Sequence, residues 1–277
     1  MALKNCTLIF TVLCLSLAST FSAQALDWRI AFGAHDIIVE QADSHTVGVG
    51  ATFALAHLTQ SNILLIGSVD VFVDHDKDKL DPDHIPIWFS SNFMVKRELF
   101  RLSPDSAFQW EVEASSRRNT VSSVEKQLKL FPGIGYEYDT KNFFAAVKVG
   151  AGYYSLEIDD DVPRMRGYDR GDFQNQTGAY TLAADTRFSL GSSFELSAKI
   201  QHWNDGSEWL ENRYSVALNY DANTWVEDSV FVVSVEHTEY NLDPYAKVAV
   251  DDADYLPILP WDKDTLVRVY IDMPWDF

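Results

Sequence analysis

Hydrophobic and polar residues alternate one for one along twelve segments of this chain, each roughly ten to fourteen residues long. In the last segment, one face carries Val267, Val269 and Ile271. The opposite face carries Arg268 and Asp272. Successive side chains of a β-strand point to opposite sides, so each segment is predicted to be a strand with one apolar and one polar face. The predicted strands are residues 28–37, 45–56, 63–74, 86–98, 107–117, 126–138, 143–155, 177–190, 194–203, 210–220, 229–240 and 265–277.

The connections between these segments alternate in length. Residues 58–62, 139–142 and 191–193 are short connections that follow even-numbered segments, and no Pro- or Ser-rich linker divides the chain. Residues 75–85, 156–176 and 241–264 are long connections that follow odd-numbered segments. Transmembrane barrels have short turns at one end, longer loops at the other and an even number of strands. The sequence therefore predicts an all-β, antiparallel up-and-down transmembrane barrel of about twelve strands over residues 26–277.

The first 25 residues are predicted to be a secretory signal peptide. Lys4 supplies a positive charge, residues 8–17 form an apolar run, and Ala23 and Ala25 fit a small-residue cleavage site. The apolar run is shorter than the ~20 residues that a membrane-spanning helix needs. Both cysteines, Cys6 and Cys14, lie in this segment, so residues 26–277 can form neither a disulfide nor a thiolate site.

The formal net charge of −19 and the aromatic content of 13% narrow the choice of partners. Nucleic-acid binding requires a basic surface that displaces counterions, so nucleic acid is excluded as a partner. Abundant aromatic residues suit the two interfacial girdles of a membrane barrel, although a secreted carbohydrate-binding β-sandwich is an alternative with the same composition. For a barrel, the expected partners are outer-membrane lipid and lipopolysaccharide.

The last strand resembles the closing strand of bacterial outer-membrane β-barrels, in which a terminal Phe after an alternating strand is the assembly signal. Phe277, Trp275, Ile271 and Val269 occupy the positions that the resemblance requires. It implies insertion by a barrel-assembly machinery. The whole of residues 26–277 also resembles the translocator barrel of autotransporters, in the form of a solitary barrel. Autotransporters carry a large passenger before the barrel, whereas the first predicted strand here follows the cleavage site closely, so passenger secretion does not carry over.

If the apolar face meets lipid, the polar face lines the lumen. Parity along each strand predicts that seventeen charged residues face inward, and cations and anions nearly balance. Two interpretations stay open: cross-strand ion pairs that fill a narrow barrel, or a polar conduit for small solutes. The predicted lumen-facing residues are Arg29, Asp70, Lys96, Glu98, Glu111, Glu113, Lys129, Glu137, Lys148, Asp185, Arg187, Glu195, Lys199, Arg213, Arg268 and Asp272, with Glu236 on the same face of the eleventh strand.

The connection at residues 74–84 is rich in aspartate but does not form a calcium-binding EF-hand. Lys79 stands where the tight-turn Gly of an EF-hand should be, and Ile85 stands where its bidentate Glu should be. Two interpretations apply to this and other acidic loops, non-specific binding of divalent cations and a solvated loop, and the solvated loop is the simpler one. We predict no dedicated metal site and no cofactor.

Residues 202–207 resemble, faintly, the His-x-Ser-Asn segment of outer-membrane phospholipases and lipid A deacylases. That resemblance implies a base at His202, on the lipid-facing side of the ninth strand, and a serine nucleophile two residues later. Position 204 is Asn, whose amide is not a nucleophile for acyl transfer, and Ser207 lies off the strand register. An acyl hydrolase centred on His202 is therefore the alternative, and the prediction is a barrel without a catalytic site.

Overall fold

The computed structural model describes residues 26–39, 44–75, 86–118, 124–158, 174–241 and 262–275. These residues form twelve antiparallel strands, as the alternation predicts. The strands are β1 (Asp27–Val39), β2 (Ser44–Leu58), β3 (Leu64–Asp74), β4 (Ile87–Ser103), β5 (Ser106–Arg118), β6 (Val124–Asp139), β7 (Phe143–Ile158), β8 (Gln174–Leu190), β9 (Phe194–Asn204), β10 (Trp209–Asp221), β11 (Val230–Tyr240) and β12 (Lys263–Pro274).

The sheet closes on itself. Each strand pairs with its neighbours in sequence, and β1 also pairs with β12. At this seam Phe32 lies opposite Ile271 and Ala34 lies opposite Val269, which keeps the apolar side chains of both strands on one face. Closure satisfies the backbone groups that a free edge would leave unpaired, as a membrane requires. The predicted fold class and strand number are thus confirmed. Within the described ranges, no helix is long and apolar enough to cross a membrane.

The exterior of the barrel is apolar. Val49, Val149 and Ile200 lie in the middle of their strands and are 61%, 56% and 54% exposed. A protein surrounded by water does not leave an apolar belt of this kind around a whole sheet, whereas a membrane barrel does. Nearer the short turns, the exterior rings of Phe108 and Tyr136 lie 5.2 Å apart and those of Phe143 and Phe188 lie 4.8 Å apart. These ring pairs form the aromatic girdle expected at one membrane interface.

Two buried clusters of apolar side chains lie inside the barrel, toward the end that carries the long connections. One contains Val124, Phe131, Tyr154, Leu156, Ala179, Trp203, Leu210 and Tyr240. The other contains Ile37, Val39, Phe72, Trp88 and Leu266. Both arise because the outer ends of several strands carry apolar residues on the inward face as well. We call this the long-loop end, and the opposite end, where the chain turns within a few residues, the short-turn end.

Strand β10 contains an irregularity that matters for the lumen. Its register against β9 shifts between Trp209 and Glu211. In consequence both Leu210 and Glu211 are buried, at 1% and 0% exposure, although neighbours in a regular strand point to opposite faces. The shift turns Leu210 inward beside Glu211, whose position already faces the lumen, so a carboxylate lies next to the apolar cluster at the long-loop end.

Candidate functional site: the barrel lumen

At the short-turn end, the lumen opens into a cavity of about 1280 Å³, which we call the vestibule. Arg29 is the basic residue of its lining, and its Nε donates to Asp272 Oδ1 at 2.9 Å. Asn219 Nδ2 donates to Glu195 Oε1 at 3.1 Å. Both contacts join residues of adjacent strands, so they run along the wall and leave the space open. The carboxylates of the vestibule belong to Asp27, Glu195, Asp221, Glu227, Asp228 and Asp272.

The middle of the barrel holds three adjoining cavities of about 370, 320 and 180 Å³, which together we call the chamber. They share lining residues such as Lys199 and Arg268. Lys96 Nζ lies 2.7 Å from Glu137 Oε1, on a strand two places away. Opposite charges alternate around this wall, and the cavity of 370 Å³ is lined by four cationic and four anionic residues. These are Lys96, Lys148, Arg187 and Lys199 against Glu111, Glu113, Glu137 and Asp185.

Lys148 organises the acidic side of the chamber. Its Nζ lies 2.5 Å from Glu111 Oε1 and also pairs with Glu113. One ammonium thus holds two carboxylates that face the same side of β5. Across the chamber, the guanidinium carbon of Arg187 lies 4.0 Å from the ring centroid of Phe144. Arg187 is exposed to the lumen, where its charge meets any solute that enters the chamber.

Toward the long-loop end, side chains reach across the lumen. Lys129 Nζ on β6 donates to both carboxylate oxygens of Glu211 on β10, at 2.5 Å each. Tyr154 Oη and Arg213 Nη2 also donate to Glu211, each at 3.0 Å. The ammonium of Lys129 lies 4.0 Å from the ring centroid of Trp203. Because β6 and β10 are four strands apart in the sheet, this contact bridges the interior.

A second bridge joins opposite walls at the same level. Arg117 Nη1 on β5 lies 3.4 Å from Asp264 Oδ1 on β12, five strands away around the barrel. Beside it, His35 Nε2 lies 2.7 Å from Asp74 Oδ1, and Trp88 Nε1 donates to the same oxygen at 3.2 Å. We call the two apolar clusters and these bridges the outer closure. Within the described ranges, they fill the lumen above the chamber.

Most of the charged residues that parity predicts for the lumen line the vestibule, the chamber or the outer closure. Asp70 accepts hydrogen bonds from Thr52 Oγ1 at 2.6 Å and Ser90 Oγ at 2.7 Å, and Arg268 Nη2 lies 3.3 Å from its Oδ1. Glu98 differs, because it lies at an exposed part of β4 and pairs with Arg101 Nη2 on the same strand at 2.6 Å. The register of β4 against β5 is regular as far as Glu98 and shifts only after it, between Glu98 and Phe100.

Sequence reasoning missed three residues of the outer closure. Glu211 and Arg117 have the parity of the inward face, which was the available signal, but both stand at the margins of their predicted strands. Asp264 was predicted to lie in a loop, whereas β12 begins at Lys263. Their partners come from strands far apart in sequence, and alternation carries no information about such pairs.

The residues of the predicted assembly signal lie on β12 and just after it. Val269 is 40% exposed on the exterior. Ile271 pairs with Phe32 across the seam. The ring of Trp275 lies 5.7 Å from that of Phe53, and its backbone N–H donates to Trp28 O at 2.8 Å. Phe277 lies outside the described residues, as do the predicted signal peptide and residues 76–84 of the acidic loop.

His202 lies on the outward face of β9, near the long-loop end. Its Nδ1 is 2.6 Å from Asn212 Oδ1 on β10. Asn204, two residues later, accepts the backbone N–H of Gly206 at 2.6 Å and so stabilises the turn. The pair has the geometry of a base held by an orienting group, but no hydroxyl of the described residues is recorded at hydrogen-bond distance from His202. Within the same residues, no cluster of three or more His, Cys, Asp or Glu is suited to hold a metal ion.

Together, the closed sheet, the apolar exterior and the charged lumen define a transmembrane β-barrel protein. No family model matches the sequence. No curated protein matches it either.

Solved outer-membrane barrels are similar in fold. A KdgM porin has 10% identity and a TM-score of 0.45, over 89% of this chain and 99% of that one. A NanC porin has 10% identity and a TM-score of 0.49, over 91% and 100%. Outer membrane phospholipase A from Escherichia coli has 13% identity and a TM-score of 0.43, over 92% and 94%. At these identities the similarity concerns the fold only, so function has to be argued from the lumen itself.

Proposed function

We propose that this chain is a narrow-channel protein of the outer membrane, whose lumen is closed at the long-loop end in this structure. One observation carries the proposal: the vestibule and the chamber are cavities large enough to hold water and lined by charged residues, beneath a layer of side chains that spans the barrel. A barrel that only needed a stable interior would have no use for cavities of this size. Lipid and lipopolysaccharide surround the apolar exterior, with the long loops on the outer side.

A structural or surface-interaction role is the other reading of the same barrel. It is favoured if the lumen never opens, because only the loops at the long-loop end would then meet a partner. Those loops are acidic in sequence, and divalent cations bound there would link them to anionic lipopolysaccharide. Delivery by a signal peptide and insertion by a barrel-assembly machinery that reads the last strand belong to both readings.

Conductance in planar lipid bilayers tests the channel proposal. Wild-type protein is expected to conduct rarely and weakly, because Lys129, Glu211 and Trp203 obstruct the lumen. Trp203→Ala removes the indole beneath which Lys129 lies, and we expect larger and more frequent conducting events. Trp225→Ala is the matched control, since Trp225 is 62% exposed at a short turn. Absence of conductance from both the wild type and Trp203→Ala, with both folded, would favour the structural role.

An acyl hydrolase centred on His202 is the second candidate, and the hydrogen bond between His202 and Asn212 is the observation in its favour. The missing hydroxyl at position 204 weighs against it. We expect no fatty-acid release from phospholipid or lipid A by the purified wild-type protein. Asn204→Ser places a hydroxyl two residues from His202, and release by this variant alone would show that the pair is competent and lacks only its nucleophile. Fatty-acid release by the wild-type protein would contradict its assignment as a non-enzyme.

The classification as a solitary barrel of the autotransporter type is likewise only a proposal. The number of strands agrees with it. The solved structures named above are porins and a phospholipase, so they lend that finer classification no support.

A further inference from the structure

Two charged side chains of the chamber differ from the rest of its lining. Asp185 and Arg187 make no ion pair and no side-chain hydrogen bond with any other residue in the part of the chain that the structure describes. Both line the cavities of about 370 and 320 Å³. The other charged residues of these two linings each lie within 3.9 Å of an opposite charge: Lys96 with Glu137, Lys148 with Glu111 and Glu113, Lys199 with Glu113, Arg268 with Asp70, and Glu236 with Arg213.

The register of the sheet explains why these two groups stay unpaired. Asp185 on β8 lies opposite Lys199 on β9, but the ammonium of Lys199 turns toward Glu113 Oε1, at 3.9 Å. Arg187 lies opposite Phe144 on β7, and its guanidinium carbon is 4.0 Å from the centroid of that ring. Stacking on Phe144 holds the guanidinium in place before a ligand arrives, which lowers the entropic cost of binding.

Both groups are accessible from the open end of the lumen. Arg187 is exposed and Asp185 is partly exposed, in contrast to the buried residues of the outer closure. Ser189, two residues after Arg187, lines the vestibule. The pair therefore lies where the vestibule meets the chamber, and a solute that enters from the short-turn end reaches it without passing the outer closure. The two cavities beside the pair have volumes in the range of small-molecule pockets, about 300–1,000 Å³.

The two groups carry opposite charges and share one space. Alternate residues of a strand lie on the same face, so Asp185 and Arg187 both project into the chamber, with Cα atoms about 7 Å apart. A guanidinium binds a carboxylate through two parallel N–H donors, and a carboxylate accepts hydrogen bonds from an ammonium. A solute with one ammonium and one carboxylate satisfies both groups, whereas a solute with a single charge leaves one of them unpaired. The cavity of 370 Å³, with four cationic and four anionic residues, favours neither sign overall.

We propose that Asp185 and Arg187 form a binding site for a small zwitterion, with its carboxylate on Arg187 and its ammonium on Asp185. Because this site rests on the proposed channel function, it makes small zwitterions the class of solute that the channel admits. The carboxylates of the vestibule attract an ammonium and repel a free anion. A zwitterion therefore passes the vestibule more readily than a carboxylate that carries no ammonium.

Saturation-transfer difference NMR on the purified full-length barrel in detergent micelles measures such binding even when it is weak. The probes are 4-aminobutyrate, which carries both charges, and acetate and methylammonium, which carry one each, all at constant ionic strength. A saturable signal from 4-aminobutyrate is expected, with binding of acetate and methylammonium weaker by about tenfold or more. Because no conductance is measured, the outcome is separate from that of the bilayer experiment: a barrel that never conducts can bind the zwitterion, and a conducting barrel can fail to bind it.

Arg187→Gln and Asp185→Asn should each weaken binding of 4-aminobutyrate about tenfold or more, because each removes one charged partner of the solute. Arg101→Gln, at an exposed arginine paired with Glu98, should leave it unchanged. If the first two variants do not fold, as judged by heat-modifiable mobility, Phe144→Leu removes the stacking, keeps both charges and should weaken binding instead. The proposal is overturned if the wild type gives no saturable signal with 4-aminobutyrate, or if acetate or methylammonium binds as tightly. It is equally overturned if a folded variant at position 185, 187 or 144 binds 4-aminobutyrate as tightly as the wild type.

Discussion

The two ends of the lumen are built from the same kinds of residue and differ in how far the ion pairs reach. At the short-turn end, Arg29 pairs with Asp272 on the adjacent strand, and the contact follows the wall. At the long-loop end, Lys129 pairs with Glu211 four strands away, and the contact crosses the barrel. A contact along the wall leaves the lumen hydrated, whereas a contact across it excludes water. The span of the pairs therefore decides which end is closed, more than the number of charges.

The energetic consequence follows from burial. The side chains of Lys129 and Glu211 are 2% and 0% exposed, while those of Arg29 and Asp272 are 26% and 31% exposed. When one partner of a buried ion pair is removed, the other charge is left unpaired in a medium that solvates it poorly. When one partner of a hydrated pair is removed, water solvates the remaining charge. Charge substitutions should thus be costly at the long-loop end and mild at the short-turn end.

Glu211→Gln should give the largest effect. The substitution removes the charge that compensates Lys129 and Arg213, and we expect a loss of about 3–5 kcal/mol in the free energy of unfolding. Urea unfolding in lipid vesicles, followed by tryptophan fluorescence, measures it. Glu195→Gln in the vestibule is the matched control, with an expected loss below about 1 kcal/mol. Equal losses for the two variants would contradict the difference between the ends.

Val149→Arg tests whether the exterior of the barrel, which encloses both ends of the lumen, faces lipid. Val149 is 56% exposed on the exterior in the middle of β7. An arginine facing lipid at this depth should cost about 2–4 kcal/mol in the same unfolding assay. Val149→Ala controls for the loss of the side chain itself. If arginine is tolerated as well as alanine, the exterior faces water and the barrel is not a membrane protein.

Lys148→Met should have an intermediate effect, because the chamber lies between the two ends. The change leaves Glu111 and Glu113 without their shared cation, on side chains that are about one-tenth exposed. We expect a loss of about 1.5–3 kcal/mol, which is smaller than that for Glu211→Gln because the chamber is better hydrated than the outer closure. A larger loss at Lys148 would mean that the chamber, and not the outer closure, is the driest part of the lumen.

The smallest effect concerns the turn between β9 and β10, outside the membrane. Backbone N–H groups of Glu208 and Ser207 donate to Asp205 and lower the pKa of its carboxyl below the ordinary value. A lowered pKa in the folded state means that this contribution is present above the ordinary pKa and is lost as the pH falls through the lowered one. Asp205→Ala should speed amide exchange at Ser207 and Glu208 at neutral pH, with no detectable change in global unfolding. Unchanged exchange in the variant would show that the carboxylate does not hold the turn.

Alternation along the chain was sufficient to predict the fold, because each strand must present one face to lipid and one to the lumen. It was also sufficient to assign Arg29, Lys96 and Glu113 to the interior wall, where parity alone decides the direction of the side chain. Glu98 keeps the same parity, because the register of β4 shifts only after it, but its side chain is exposed and pairs with Arg101 on its own strand.

The alternation of apolar and polar residues did not predict the outer closure. Phe72, Trp88 and Tyr154 are apolar residues on the inward face, so a rule that assigns apolar residues to lipid does not detect them. The pairing of Lys129 with Glu211 depends on the width of the closed barrel, and the burial of Leu210 beside it depends on the register shift in β10. A local stretch of sequence determines neither quantity, which is why both an open and a packed lumen were compatible with the sequence.

Thiol labelling of single-cysteine variants tests most directly that the lumen is open at one end and closed at the other. Residues 26–277 contain no cysteine, so each variant carries one reactive thiol. Asn219→Cys lines the vestibule, and Thr238→Cys lies at a fully buried inward position on β11. With the barrel in lipid vesicles and a water-soluble maleimide on both sides, Asn219→Cys should react rapidly and Thr238→Cys only after unfolding. Rapid labelling of Thr238→Cys in the folded protein would show that water passes the outer closure and would contradict the account.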